Sequence, residues 1–353
     1  MRPLDGLVVL DLTRLLPGAA ATMQLASFGA EVIKIEEPGA GDYARSIPPR
    51  LDGEGAVFRV VNRGKKSVVL DLKSETGRGA FLKMAATADV VVESFRPGTM
   101  GRLGLSYAAL RERNARLIYV SITGYGQDGP WAGLAGHDVN YLALGGALDL
   151  IGARGGPPEI PGVQIADLAG AMQAVTGVLL ALAARAQTGR GQAVDVSMMD
   201  SVAWMLPVAL GVHAATGELP GRGDGVLAGR YACYHLYEAA DGRWLAVGAL
   251  EPKFWQTLCR ALECEQLIAD QFAEDPRREQ VIAELARIFR TRSAAEWFGR
   301  LGPLDACVTP VRNIAEVMEH FGLRGGESVV VPRLSDTPGK LGGPAPRLGE
   351  HSI

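Results

Sequence analysis

Over the first 200 positions, apolar residues fall into short unbroken runs, separated by longer stretches where they recur every three or four residues. The short runs read as strands buried on both faces, and the periodic stretches as helices. Strands are predicted at 7–12, 31–35, 68–72, 90–92, 117–122 and 193–197. A helix is predicted over 17–28, with Gly29 as its stop. Strands alternating with helices predict an α/β fold, a parallel sheet covered on both faces.

The pattern changes after position 200. A helix is predicted over 198–215, followed by a glycine-rich stretch, 217–229, with few core-forming residues. Runs at 231–237 and 244–248 flank Asp241-Gly242 and predict a hairpin. Helical periodicity then continues from 252 to 301. A strand-like run occupies 306–311, and beyond Phe321 the chain is rich in Gly, Pro and Arg. The expected division is a large domain from 1–200, a linker helix and Gly-rich linker at 201–229, a small α+β domain at 230–305, and a return segment with a tail at 306–353.

Two apolar stretches, 168–184 and 198–216, are interrupted by Gln173 and Thr176 in one and by Asp200 and Pro207 in the other. Both fall short of ~20 clean apolar residues, so buried core helices are expected and no membrane partner. The 353 residues are 48% hydrophobic and 21% charged, with a formal net charge of −3. That balance fits a soluble globular protein and gives no reason to expect nucleic acid. Cys233, Cys259, Cys264 and Cys307 form no C-x-x-C pair. Free thiols in a reducing compartment, the cytoplasm, are expected.

A strand-helix-strand unit ending at Glu36 invites a nicotinamide reading, but the Gly-rich turn is missing after the first strand. Cations cluster instead at Arg45, at Asn62-Arg63-Gly64-Lys65-Lys66 and at Arg96. Arg and Lys near strand ends suit a phosphorylated ligand, although ordinary surface cations read the same way. His137 opens an amphipathic stretch, which makes it either a candidate neutral base at a helix start or a capping residue. Asp167 opens the long apolar helix. It reads as an N-cap or as a carboxylate whose basicity desolvation tunes. Glu251, before Pro252, is also placed to start a helix. No residue grouping has metal-ligand spacing, and there is no G-x-S-x-G elbow.

These segments together resemble the family III CoA-transferases, a family that includes both CoA-transferases and alpha-methylacyl-CoA racemases. The resemblance runs through Leu15-Leu16-Pro17-Gly18, Phe28-Gly29-Ala30-Glu31, Asn62 to Ser67, Phe95-Arg96-Pro97-Gly98, Gly124 to Pro130, Thr188-Gly189-Arg190-Gly191-Gln192 and Ala306 to Val311. Gly136-His137-Asp138-Val139-Asn140-Tyr141 is similar to the racemase motif that carries a catalytic histidine. Val247 to Pro252 is similar to the racemase segment whose glutamate supports that histidine. Asp167 matches an aspartate used by both branches.

The resemblance implies a Rossmann-like large domain completed by the C-terminal tail, with a small domain between. It also implies an interlocked homodimer in which Glu251 comes from the other chain. The expected partner is an acyl-CoA thioester held by Arg45, Lys65, Lys66, Arg96, Gly136 and Tyr141. Coenzyme A belongs to the substrate, so no separate cofactor or metal is expected. His137 and Asp167 would exchange the C2 proton and Glu251 would orient His137. The alternatives are a CoA-transferase using Asp167 as nucleophile and a non-catalytic acyl-CoA-binding protein.

Overall fold

The computed structural model describes residues 1–352. They form two compact units. The larger holds 1–148, 160–206 and the chain from 321 onward; the smaller holds 149–159 and 207–320.

In the larger unit β1 (Val8–Leu12), β2 (Glu31–Glu36), β3 (Lys66–Val69), β4 (Val90–Glu93), β5 (Ile118–Thr123) and β6 (Ala193–Ser197) make one sheet, ordered β3-β2-β1-β4-β5-β6. Every pair is parallel, with Val9 opposite Val32 on one side and Val90 on the other. Its helices include α1 (Pro17–Ser27), α2 (Glu75–Ala85), α3 (Tyr107–Arg113), α4 (Asp138–Leu144), α5 (Ile165–Thr188) and α6 (Met198–Ala203). Side chains alternate across β1. Val9 packs with Leu25 of α1 and Ala174 and Val178 of α5. Leu10 and Leu12 pack with Phe81 of α2 and Leu110 of α3. This is the Rossmann-like α/β layer predicted, and the strand order reverses between β1 and β4. In such sheets a crevice opens beyond the carboxyl ends of the strands at that reversal.

α5 starts at Ile165, three residues earlier than expected, and runs 24 residues, with an 18-residue window of mean hydropathy 1.7, long and apolar enough to cross a membrane. Here it packs on α1 and the sheet. Gly170 and Gly177 permit close approach: a Cβ would lie 2.7 Å from Met198 and 2.6 Å from Val194 respectively. Met172, Leu179 and Leu180 remain exposed on its outer side. The single helix expected over 198–215 is two helices, α6 and α7 (Pro207–Thr216). Pro207 has no N–H to continue the first, so it opens the second.

The smaller unit corrects the predicted boundaries. Its sheet is β7 (Tyr234–Glu238), β8 (Trp244–Gly248) and β9 (Val308–Pro310), antiparallel in the order β9-β8-β7. The run at 306–311 therefore completes this unit and does not return to the large one. α7 belongs here too, not to a linker. The Asp241-Gly242 hairpin is as predicted, with Gly242 at φ +73°. α8 (Pro252–Ala261), α9 (Arg277–Phe289) and α10 (Ala294–Leu301) cover a core of Tyr237, Trp255, Phe289 and Trp297. Trp297 donates to the Phe289 carbonyl at 2.7 Å, so its polar edge is satisfied inside. Residues 149–159, expected in the large domain, form a strap held here by Arg222 on Asp149 at 2.6 Å and by Arg154 on Asp224, Asp275 and Glu279.

The tail runs beside β3, the outer strand. Gly64 N–H donates to Gly343 O at 2.9 Å, Gly349 N–H to Ser67 Oγ at 3.0 Å, and His351 N–H to Ser67 O at 3.0 Å. An edge that could pair with another chain is thereby covered.

Candidate active site

A cavity of about 750 Å³ opens beyond the carboxyl ends of β1, β4 and β5. Its wall includes Arg14 and Leu15 after β1, Phe95 and Arg96 after β4, and Tyr125 after β5. His137 and Asp167 both line it.

His137 is the N-cap residue of α4, and its N–H donates to Asn140 Oδ1 at 3.0 Å. The imidazole stands exposed at the cavity. Asp167, read either as a cap or as a desolvated carboxylate, lies in the first turn of α5, at its third residue, and is not the cap. The cap is supplied by Asp138, whose Oδ1 accepts from Ala166 N–H at 2.7 Å and Asp167 N–H at 3.1 Å. One carboxylate of α4 thus clamps the start of α5 and leaves the Asp167 carboxyl free. Burial pushes that carboxyl up to about 6, and the negative charge of Asp138 adds to the rise, while His137 acts in the opposite direction.

Tyr141 packs behind this pair. Its hydroxyl donates to Gly136 O at 2.5 Å, and its ring meets Tyr125 edge-on at 5.2 Å. Burial first, then the nearby Asp167 charge, pushes its hydroxyl up to about 12. A Cβ at Gly124 or Gly136 would lie 2.3 or 2.8 Å from the Tyr141 ring, so the motif glycines admit the tyrosine. Gly136 thus serves this packing, whatever it contributes to a ligand.

The predicted phosphate ligands separate into two groups. Arg96 is exposed on the cavity wall and has no ion-pair partner among the described residues. Arg45 and Lys65 are corrections. Arg45 is buried, forked onto Glu36 at 2.7–2.8 Å and paired with Glu54. Lys65 is buried on Asp11, Thr22, Asn62 and the Ala19 carbonyl. Neither can reach a ligand without abandoning these partners. The Arg45 pairing also removes Glu36 as a ribose ligand. Lys66 is exposed, but it begins β3 and pairs with Glu31 at the start of β2, the end of the sheet away from the cavity. Glu251 occupies the N-cap position of α8 in the smaller unit, exposed and making no capping bond.

Residues not predicted include Asp138, whose partners lie 28 and 29 positions away, and Arg14. The Arg14 guanidinium stacks over Tyr43 and Phe95 and pairs with Glu37 at 3.3 Å. A second cavity of about 560 Å³, lined by Asp71, Leu72 and Lys73, shares Arg14, Phe95 and Thr99 with the first. Arg14 stands where the two meet, with Arg96 exposed in the first and Lys73 in the second, the latter beside Glu36, Glu37, Asp42 and Asp71. Among the described residues no group of three or more His, Cys, Asp or Glu is placed to hold a metal.

The sequence profile of CoA-transferase family III matches residues 4–352. The alpha-methylacyl-CoA racemase of Homo sapiens is 35% identical, over 99% of this chain and 91% of its own. The acetyl-CoA:oxalate CoA-transferase of Acetobacter aceti is 37% identical, over 89% of this chain and 82% of its own. Among solved structures, a CaiB/BaiF family protein from Brucella suis superposes with a TM-score of 0.87 at 32% identity, covering 99% of this chain and 97% of that one. A fold shared end to end with that protein, and a profile match over nearly every residue, make this chain a member of CoA-transferase family III, which holds both racemases and CoA-transferases.

Proposed function

We propose that the protein interconverts the C2 epimers of 2-methylacyl-CoA thioesters. The observation that carries this reading is that two unlike proton carriers, His137 and Asp167, line one cavity, with Asp167 pushed up to about 6. A general base works best with its basicity near the working pH, and a pair of different groups allows either to act first.

In one direction, ionised Asp167 takes the C2 proton. The electron pair moves into the C1–C2 bond and the thioester carbonyl becomes an enolate. Protonated His137 then gives a proton to the opposite face of C2; the reverse reaction exchanges the roles. The enolate oxygen needs donors, and those of Ala166 and Asp167 are taken by Asp138. The N–H groups of Asp138 and Val139, in the first turn of α4, have no partner among the described residues and are assigned this role. Arg96, Arg14 and Lys73 would bind the phosphates of coenzyme A.

Glu251 is assigned, from a second copy of the chain, to orient His137. The exposed apolar residues of α5 and α7 support a dimer. Co-refolding His137→Ala with Glu251→Gln should restore about a quarter of wild-type activity, since half the dimers are mixed and each has one intact site. No recovery would reject the exchange of Glu251 between chains.

A CoA-transferase would instead use Asp167 to attack the thioester carbonyl, forming a mixed anhydride and releasing CoA thiolate, which then attacks the aspartyl carbonyl, expels the acyl group as its carboxylate and leaves CoA as an aspartyl thioester. The similar identity to relatives bearing that name favours keeping this reading open to test. The deciding experiment follows deuterium entry at C2 of a 2-methylacyl-CoA in heavy water. Rapid wash-in without new acyl-CoA supports the racemase. Stoichiometric acyl-CoA formation from an added carboxylate, without wash-in, supports the transferase.

A further inference from the structure

The loop after β1 carries an unusual backbone. Leu15 sits at φ +61°, in the left-handed region that a branched side chain avoids. Such a conformation persists only where its surroundings over-determine it. Here each residue of the loop is tied to a different element. Thr13 N–H and Oγ1 both donate to Asp11 Oδ1, at 2.9 and 2.6 Å. The Thr13 carbonyl accepts from Lys34 Nζ at 2.8 Å. Arg14 N–H donates to Ser94 Oγ at 3.0 Å, and Leu15 N–H to Asp42 Oδ1 at 3.4 Å.

All of these ties except that to Ser94 end in buried charge. Lys34 is fully buried, 3.0 Å from Asp42, and Lys65 is fully buried, 3.0 Å from Asp11. Buried ion pairs stabilise a fold no better than well-packed apolar residues, so stability alone does not account for four charges here. What they supply is direction. Lys34 on β2 fixes the Thr13 carbonyl, and Asp42 reaches the Leu15 N–H. The loop so fixed lines both cavities, with Arg14 and Leu15 in the first and Thr13 and Arg14 in the second.

We propose that Lys34 and Asp42 are positioning residues that hold the Leu15 turn, and with it Arg14, in the conformation that binds coenzyme A. The proposal rests on the acyl-CoA reading above. It assigns a binding role to two residues that touch no ligand, and it makes Leu15 the point where their effect is felt.

The test is a double-mutant cycle read by calorimetric titration with free coenzyme A, which needs no turnover. Lys34→Met with Asp42→Asn removes both charges and keeps the Oδ1 acceptor for Leu15. This variant should weaken coenzyme A binding at least tenfold. In the Leu15→Gly background, where glycine takes a positive φ without strain, the same pair of changes should cost less than threefold. A merely structural role would give equal losses in both backgrounds, and that result, or an unchanged affinity, overturns the proposal. Asp42→Asn alone, which stays isosteric, covers the case in which the paired variant does not fold. It should weaken binding several-fold, again suppressed by Leu15→Gly, and equal losses again overturn the proposal. If the unmutated protein binds no coenzyme A, the acyl-CoA reading falls and this proposal with it. Binding with a flat cycle removes this proposal alone.

Discussion

Asp11 and Asp167 belong to the same unit, and the more deeply buried of the two is the stronger acid. Burial acts on both to raise the carboxyl. At Asp11 that effect is overcome by Lys65 and Lys34 and by the hydroxyls of Thr13 and Thr22, which hold it well below the usual carboxylate range. At Asp167 no cation is bonded to the carboxyl, the neighbouring Asp138 adds to the rise, and the group reaches about 6. Depth alone therefore does not mark a reactive carboxylate. A buried acid enclosed by lysines is fixed as an anion and serves the fold. A shallower one beside a second carboxylate keeps a proton within reach of neutral pH.

Substitutions at the two positions should separate these roles. Asp167→Asn and His137→Ala are each expected to lower C2 proton exchange by about 10³-fold with the fold retained, measured by deuterium wash-in and circular dichroism. Wild-type exchange in either variant would end the acid/base assignment. Asp11→Ala should instead cost about 3–5 kcal/mol in urea unfolding, because it strands Lys65 without its counter-ion. A loss below about 1 kcal/mol would mean that the cluster is not cooperative. Arg96→Ala should raise the KM for an acyl-CoA about tenfold and leave a short thioester lacking the nucleotide unchanged. Equal effects on both would move Arg96 out of phosphate binding.

The smallest effects concern pH. Asp138→Asn keeps an acceptor for the start of α5 but removes the charge beside Asp167. The lower midpoint of the pH–rate profile should move down from about 6, toward the ordinary carboxylate value. An unmoved midpoint would mean that desolvation alone sets it. Asp167 also has a stability signature. Its folded value is raised, so the folded chain binds the proton more tightly, and stability falls as pH rises from about 4 to about 6. The cost is fully present above 6. Asp167→Asn should therefore be more stable than wild type by about 1 kcal/mol at pH 7, the partly exposed site being screened, and no more stable below pH 4. Equal stability at pH 7 would contradict the raised value of this carboxyl.

The parallel sheet was legible because its strands are buried on both faces and leave unbroken apolar runs, as Val90, Val91 and Val92 do. The misreadings have physical causes. Lys65 and Lys66 look like a phosphate-binding pair in one dimension. Yet they stand at the start of a strand, whereas ligands gather beyond the ends, so strand direction already argued against them. Arg45 was read as a loop cation because its partner Glu54 and the Pro346 carbonyl lie across turns that no periodicity encodes. Asp138 stood inside a motif chosen for its histidine, and its clamp on α5 joins residues that only the tertiary fold brings together. The strand at 308–310 was assigned to the wrong unit because a short apolar run does not reveal its neighbour. Its pairing with Trp244 to Gly248 is decided by the packing of the smaller core.

The tail on β3 sets an order of events during synthesis. The outer strand of the sheet leaves the ribosome early, but Gly343, Gly349 and His351, which close it, are made about 280 positions later. The smaller unit, nearly all of it within one stretch from 207 to 320, has its partners at hand sooner. Until the tail emerges, the nascent large unit carries an open strand edge and an Arg45 without its Pro346 carbonyl. In that interval the unpaired edge can add a strand from another chain, a hazard that the arrival of the tail ends.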